Sequence, residues 1–97
     1  MAKKPDVVVE AVRYEDGRIR WVRAFERRGA TYSDWQLLER ADLAERLKNG
    51  QRVFLGRRIE HMASTFETSR QVFLAGSDAI ATSKDSKSDS LEGALLF

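Results

Sequence analysis

The Asp16-Gly17 pair constrains this chain more than any other feature. An Asp-Gly pair between two β-rich runs favours a type I′ turn, whose central residues take positive φ and whose twist matches that of paired antiparallel strands. Residues 7–14 lead into the pair and residues 18–28 lead out of it. A two-residue loop sets the register: Glu15 opposes Arg18, Tyr14 opposes Ile19, Val12 opposes Trp21, Glu10 opposes Arg23 and Val8 opposes Phe25. One face of the expected hairpin then gathers Val8, Val12, Tyr14, Ile19, Trp21 and Phe25, with Glu10 and Arg23 neutralising each other. Aromatic and β-branched cross-strand pairs contribute about 0.2–1 kcal/mol each. The other face holds Val7, Val9, Ala11, Val22 and Ala24 among Arg13, Arg20 and Glu26, so both faces call for cover.

Gly29 ends the hairpin, and Ser33-Asp34-Trp35-Gln36 fits a Ser-x-x-Gln capping box. Trp35, Leu37, Leu38, Ala41, Ala44 and Leu47 would line one helix over 34–48, yet Trp35-Gln36-Leu37 also alternates like a strand. We read a short strand followed by a helix at 41–48, because Leu43 and Leu47 share a face and Asn49-Gly50 is a left-handed stop after Lys48. Residues 51–59 read as a strand with Val53, Leu55 and Ile59 on one side, Arg52, Phe54 and Arg58 on the other, and a bulge at Gly56. A weaker β segment at 61–68 and a last strand at 71–75 follow.

The expected fold class is therefore α+β, mostly β: a small antiparallel sheet or partly closed barrel of about five strands, one short helix, and a disordered C-terminal tail. With 97 residues, the chain has room for one domain. Residues 1–75 are assigned to a single β-rich domain and 76–97 to a flexible tail with an apolar tip. Residues 76–90 hold five serines and only Ile80 as a large apolar side chain, too little burial to offset ordering entropy.

Several chemistries lack their residues. There is no cysteine, which excludes disulfides and thiolate zinc sites, and the one histidine, His61, has no Gly-x-Ser-x-Gly partner motif. His-x-x-x-His, a calcium loop and a glycine-rich phosphate loop are also absent, so the expectation is a non-enzymatic module with no cofactor and no metal. No apolar run nears the roughly 18 residues of a membrane span, and the start lacks a secretory signal, so the expected setting is cytoplasmic with no membrane partner.

Charge carries the main functional expectation. Residues 1–75 hold 15 Lys/Arg against 11 Asp/Glu, whereas residues 76–97 hold 2 against 4, and arginine dominates the basic set. Arginine presents a planar fork to phosphate, carboxylate and aromatic partners. Arg18, Arg20, Arg27, Arg28, Arg57 and Arg58 are the expected phosphate contacts for RNA or DNA, with Trp21 as a stacking residue. Glu10, Glu15, Glu26 and Glu60 offer the competing reading of a salt-bridged, solvated surface. The alternative function is protein–protein interaction or assembly. In it, the tip formed by Leu91, Leu95, Leu96 and Phe97 docks on a protein partner, unless it folds back as a strand on its own sheet or stays unordered. An uncovered sheet face would favour a homodimer, and closure of the barrel within one chain would remove that option.

Overall fold

In the computed structural model, which describes residues 5–29, 31–59, 66–75, 79–83 and 86–97 apart from the side chains of Arg58 and Phe66, Asp16 and Gly17 turn the chain with φ of 54° and 77°. They join β1 (Val7–Glu15) to β2 (Arg18–Arg28) in an antiparallel hairpin. The expected register holds beside the turn, at Glu15–Arg18 and Tyr14–Ile19, and again at Val8–Phe25. Between these points it is displaced by one: Arg13 opposes Trp21, Val12 opposes Val22 and Ala11 opposes Arg23. Arg20 is an extra residue on β2 and Glu10 an extra residue on β1, so two bulges cancel each other along the hairpin.

Each bulge reverses the facing of the residues beyond it. Val7, Val9, Val12, Ile19, Val22 and Ala24 consequently share one buried cluster, with Tyr14 against it. Strict alternation would have split this set between two faces. Trp21 is displaced from the expected apolar face and stands on the opposite one, across from Arg13.

The expectation of a small antiparallel sheet of about five strands is corrected: among the described residues the sheet is open, mixed and eight-stranded. β3 (Thr31–Tyr32) and β4 (Gln36–Glu39) both pair with β2, and α1 (Arg40–Lys48) then carries the chain to the other side of the hairpin. There β5 (Val53–Arg58) runs parallel to β1, with Val7 beside Val53 and Val9 beside Leu55. Parallel neighbours need such a crossover, and residue alternation reveals the faces of a strand but not its direction. β6 (Phe66–Leu74) pairs antiparallel with β5, and β7 (Ile80–Ala81) with β6. The segments expected at 61–68 and 71–75 thus form one strand over their described part, and Glu60 and His61 lie outside the described residues.

α1 begins one residue earlier than expected. Glu39 precedes it, its N–H donating to Asp42 Oδ2 at 3.4 Å. Ser33 does not cap it; the Ser33 hydroxyl instead accepts the Glu26 N–H at 3.1 Å, tying the β2–β4 connection. The helix ends as read, with Asn49 N–H on the Glu45 carbonyl and Gly50 at φ 82°. Leu43 is fully buried, with Ala44 and Leu47 against the core.

The disordered tail is also corrected for the residues described. Ile80 and Leu91 are buried in the core cluster, and β8 (Leu95–Leu96) runs parallel to β1, pairing with Ala11 and Val12. Asp89 anchors this segment. Its carboxylate, 3% exposed, accepts the N–H groups of Ile19 and Ile80, each at 2.9 Å, and the Arg40 guanidinium at 2.7 and 3.1 Å. Burial alone would raise the Asp89 pKa; Arg40 and the two amides outweigh it and hold the carboxyl below its ordinary value. The Leu91 N–H donates to the Tyr14 hydroxyl at 2.8 Å. Serine-rich composition hid this anchoring because three well-placed side chains, Ile80, Asp89 and Leu91, accomplish it.

Candidate interaction face

Leu43 places α1 on the face that carries the valine core. Among the described residues, the opposite face has no helix on it, and the strand registers assign its side chains. One row runs Leu95, Ala11, Arg23, Leu37 across β8, β1, β2 and β4. The next runs Arg13, Trp21, Glu39. Trp35 stands immediately before β4, and Phe97 immediately after β8, its N–H on the Val12 carbonyl at 3.2 Å. Trp35, Leu37 and Leu95 are 54%, 47% and 60% exposed, which is unusual for residues of this size sharing one sheet face.

Guanidinium groups are interleaved with the aromatics. Arg23 lies 5.0 Å from the Trp35 ring centre and 5.1 Å from that of Phe97. Arg13 lies 5.3 Å from the Phe97 ring and donates to the Phe97 carbonyl at 2.8 Å; Arg20 lies 4.5 Å from Trp21. Each such contact contributes about 0.5–1 kcal/mol where exposed, and together they hold the aromatic rings in place. Carboxylates balance the same area: Arg20 pairs with Glu39 at 3.2 Å and Glu15 at 3.6 Å, and Arg23 with Glu10 at 3.7 Å. These pairs are partly solvated, so they orient side chains more than they stabilise the fold.

The arginines expected to form one cationic surface are dispersed. Arg20 is neutralised as described, and Arg27 pairs with Asp6 at 3.0 Å. Asp6 also accepts the Arg52 N–H at 2.8 Å, and that bond, followed by Arg27, holds its carboxyl below the ordinary value against the opposing effect of burial. Arg18 and Arg28 are exposed at the two ends of β2, about 33 Å apart at roughly 3.3 Å per residue. Arg57 is exposed on β5, and the Arg58 side chain lies outside the described residues. Trp21 is half-buried beside Arg20.

The expected partner-binding tip divides in the same way. Leu91 belongs to the core, whereas Leu95 and Phe97 stand on the open face and Leu96, 74% exposed, is in register with Val12 at the sheet edge. Trp35, Leu37, Arg13 and Arg23 were not among the expected site residues. The Trp35-Gln36-Leu37 alternation did place Trp35 and Leu37 on a common side, but nothing in the sequence shows that Leu95 and Phe97 join them.

The face offers apolar area, stacking and oriented charge, which are the means of binding. Among the described residues, no group of three or more His, Cys, Asp or Glu is placed to hold a metal ion, and no helix is long and apolar enough to cross a membrane. No family model, curated protein or solved structure matches the chain, and the role of the face has to follow from its own geometry.

Proposed function

We propose that this protein is an assembly subunit whose open sheet face associates with the same face of a second copy. The observation that carries the reading is the joint exposure of Trp35, Leu37 and Leu95 around Arg23 on a face that has no helix among the described residues. Aromatic residues and arginine are the types enriched at the cores of protein interfaces, and Trp and Arg dominate their binding energy. The two longer dimensions of the domain, 36 and 29 Å, give the face room for the roughly 800 Å² that each partner contributes to a stable interface.

Charge selects the occupant. Arg13, Arg20 and Arg23 alternate with Glu10, Glu15 and Glu39, so the face complements a rotated copy of itself. Among the described residues the sheet does not close on itself; Val8, Ala11 and Phe25 of this face are buried, and its exposed part is the area around Trp35, Leu37 and Leu95. Sedimentation velocity over a concentration series tests the reading. The wild type should dimerise and Leu37→Asp should be monomeric with unchanged circular dichroism. An interface of about 7 kcal/mol has a Kd near 10 μM, so a wild type that stays monomeric at about 100 μM refutes the proposal.

A second reading, binding of RNA or DNA, is favoured by Arg18, Arg28 and Arg57, which make no ion pair with a described residue. Their separation and the carboxylates beside Arg20 and Arg27 count against a continuous phosphate track. Salt-dependent binding of labelled single-stranded RNA or DNA, lost in an Arg18→Gln/Arg28→Gln/Arg57→Gln variant, would support it; salt-independent or absent binding would remove it.

A further inference from the structure

β5 accompanies β1 only as far as Leu55, beside Val9, and β8 takes the neighbouring position from Ala11 onward. At this fork the β5–β6 register shifts between Phe54 and Gly56. A Cβ on Gly56 would lie 2.7 Å from the Glu67 carbonyl oxygen and 3.1 Å from Val8 Cγ1, so glycine is what lets the strands approach where they diverge. The divergence leaves a cleft of about 300 Å³ with apolar walls from Val9, Leu55 and Leu95.

Charges of both signs stand at its mouth. Arg57 and Glu67 are directly opposed in register across β5 and β6, yet they do not close into an ion pair, and neither pairs with any other described residue. Directly opposed opposite charges ordinarily approach each other across a sheet. Arg57 and Glu67 both line the cleft beside its apolar walls, a guanidinium fork and a carboxylate that no described partner neutralises. The other charged groups of the lining are already balanced: Arg70 with Glu92 at 3.4 Å, and Glu10 with Arg23 at 3.7 Å.

From this geometry we infer that the cleft binds a small zwitterion with an apolar body, an α-amino acid with an aliphatic side chain. Its carboxylate meets the Arg57 fork in a charge-assisted pair, its ammonium meets Glu67, and its side chain enters between Leu55 and Leu95. A fatty carboxylate would leave Glu67 beside an uncompensated apolar body. A nucleotide exceeds a volume that lies at the lower limit for ligand pockets and meets a rim without net positive charge. The cleft shares Leu95 with the open face assigned to the dimer, whereas Arg57 and Glu67 are not in the rows of that face, so the variants of these two residues read the cleft alone.

Amide chemical shifts of ¹⁵N-labelled protein, titrated with L-leucine, 4-methylpentanoate and 3-methylbutylamine, test it. Leucine should give saturable shifts at Gly56, Gly93, Ala94 and Leu95, and each analogue lacking one charge should bind about tenfold more weakly. Arg57→Gln should reduce leucine to the affinity of the amine, and Glu67→Gln to that of the carboxylate; both side chains are exposed, so both variants retain the fold. Shifts that do not saturate, equal affinity for the three probes, or unchanged leucine affinity in the two variants overturns the inference.

Discussion

Replacing Asp89 with alanine should be the most damaging single change at the periphery of this domain. The carboxylate is 3% exposed and satisfies four donors from three separate parts of the chain: the Ile19 and Ile80 amides and two nitrogens of Arg40. A buried amide left without an acceptor costs about 1–3 kcal/mol. Removing one member of a buried ion pair costs about 3–5 kcal/mol, but Arg40 is 23% exposed and rehydrates in part, which moves its share below that range. Water entering the vacated space also recovers some of the amide loss. The expected total is about 3 kcal/mol, or roughly 15 °C in Tm for a domain of this size. Urea unfolding followed by circular dichroism measures the loss, and hydrogen exchange should show faster exchange at Ile19 and Ile80. Asp89→Ala, Arg40→Gln and the double variant together should give a coupling of about 1–2 kcal/mol. A loss below about 0.5 kcal/mol for Asp89→Ala, with both amides still protected, would refute the assignment of Asp89 as the anchor of the C-terminal segment.

Acid should expose the same anchor. Asp6 and Asp89 both have folded-state pKa values below the ordinary value, so the unfolded chain binds protons first as pH falls. Their contribution is complete above the unfolded value near 4 and is lost progressively below it, giving a urea midpoint that drops more steeply in the wild type than in Asp89→Asn. Gly56→Ala should cost about 2 kcal/mol in urea unfolding, because its Cβ meets the Glu67 backbone at 2.7 Å and one strand has to move. Truncation before Gly76 should cost more than Asp89→Ala, at least about 4 kcal/mol, since it strips Ile80 and Leu91 from the core and removes Asp89 with them; a truncated chain with wild-type stability would show that the segment contributes nothing.

Local signals in the sequence located the hairpin turn and the helix stop at Asn49-Gly50, because each depends on residues adjacent in the chain; the bulge expected at Gly56 falls on β6 instead, where Ser69 and Arg70 stand against Leu55. The hairpin facing was not legible in the same way. Strict alternation through Glu10 and Arg20 assigns Trp21 to the face of Val12 and Tyr14, whereas the two bulges gather the large branched residues on one side and move Trp21 to the other. A bulge is chosen by the burial it permits across the whole sheet, and that quantity depends on partners distant in sequence. The same limit hid the parallel placement of β5, which follows from the path of α1 over the hairpin.

The open face shows why counting arginines could not locate a site. Its two halves, Trp35 with Leu37 and Leu95 with Phe97, are about sixty residues apart and meet because β4 and β8 flank the hairpin on opposite edges, so that Ala11 and Arg23 connect them in one row. Arg23 is thereby held between two aromatic rings and beside Glu10, while Arg18 and Arg28, no less basic, are left at opposite ends of one strand. Composition supplied the guanidinium groups, but topology decided which of them stand beside carboxylates and which beside apolar surface. A face on which cations are already paired and aromatics are exposed gains little from a polyanion. It gains more from a partner that covers the aromatics and supplies matching charges, as the proposed second copy of the same face would.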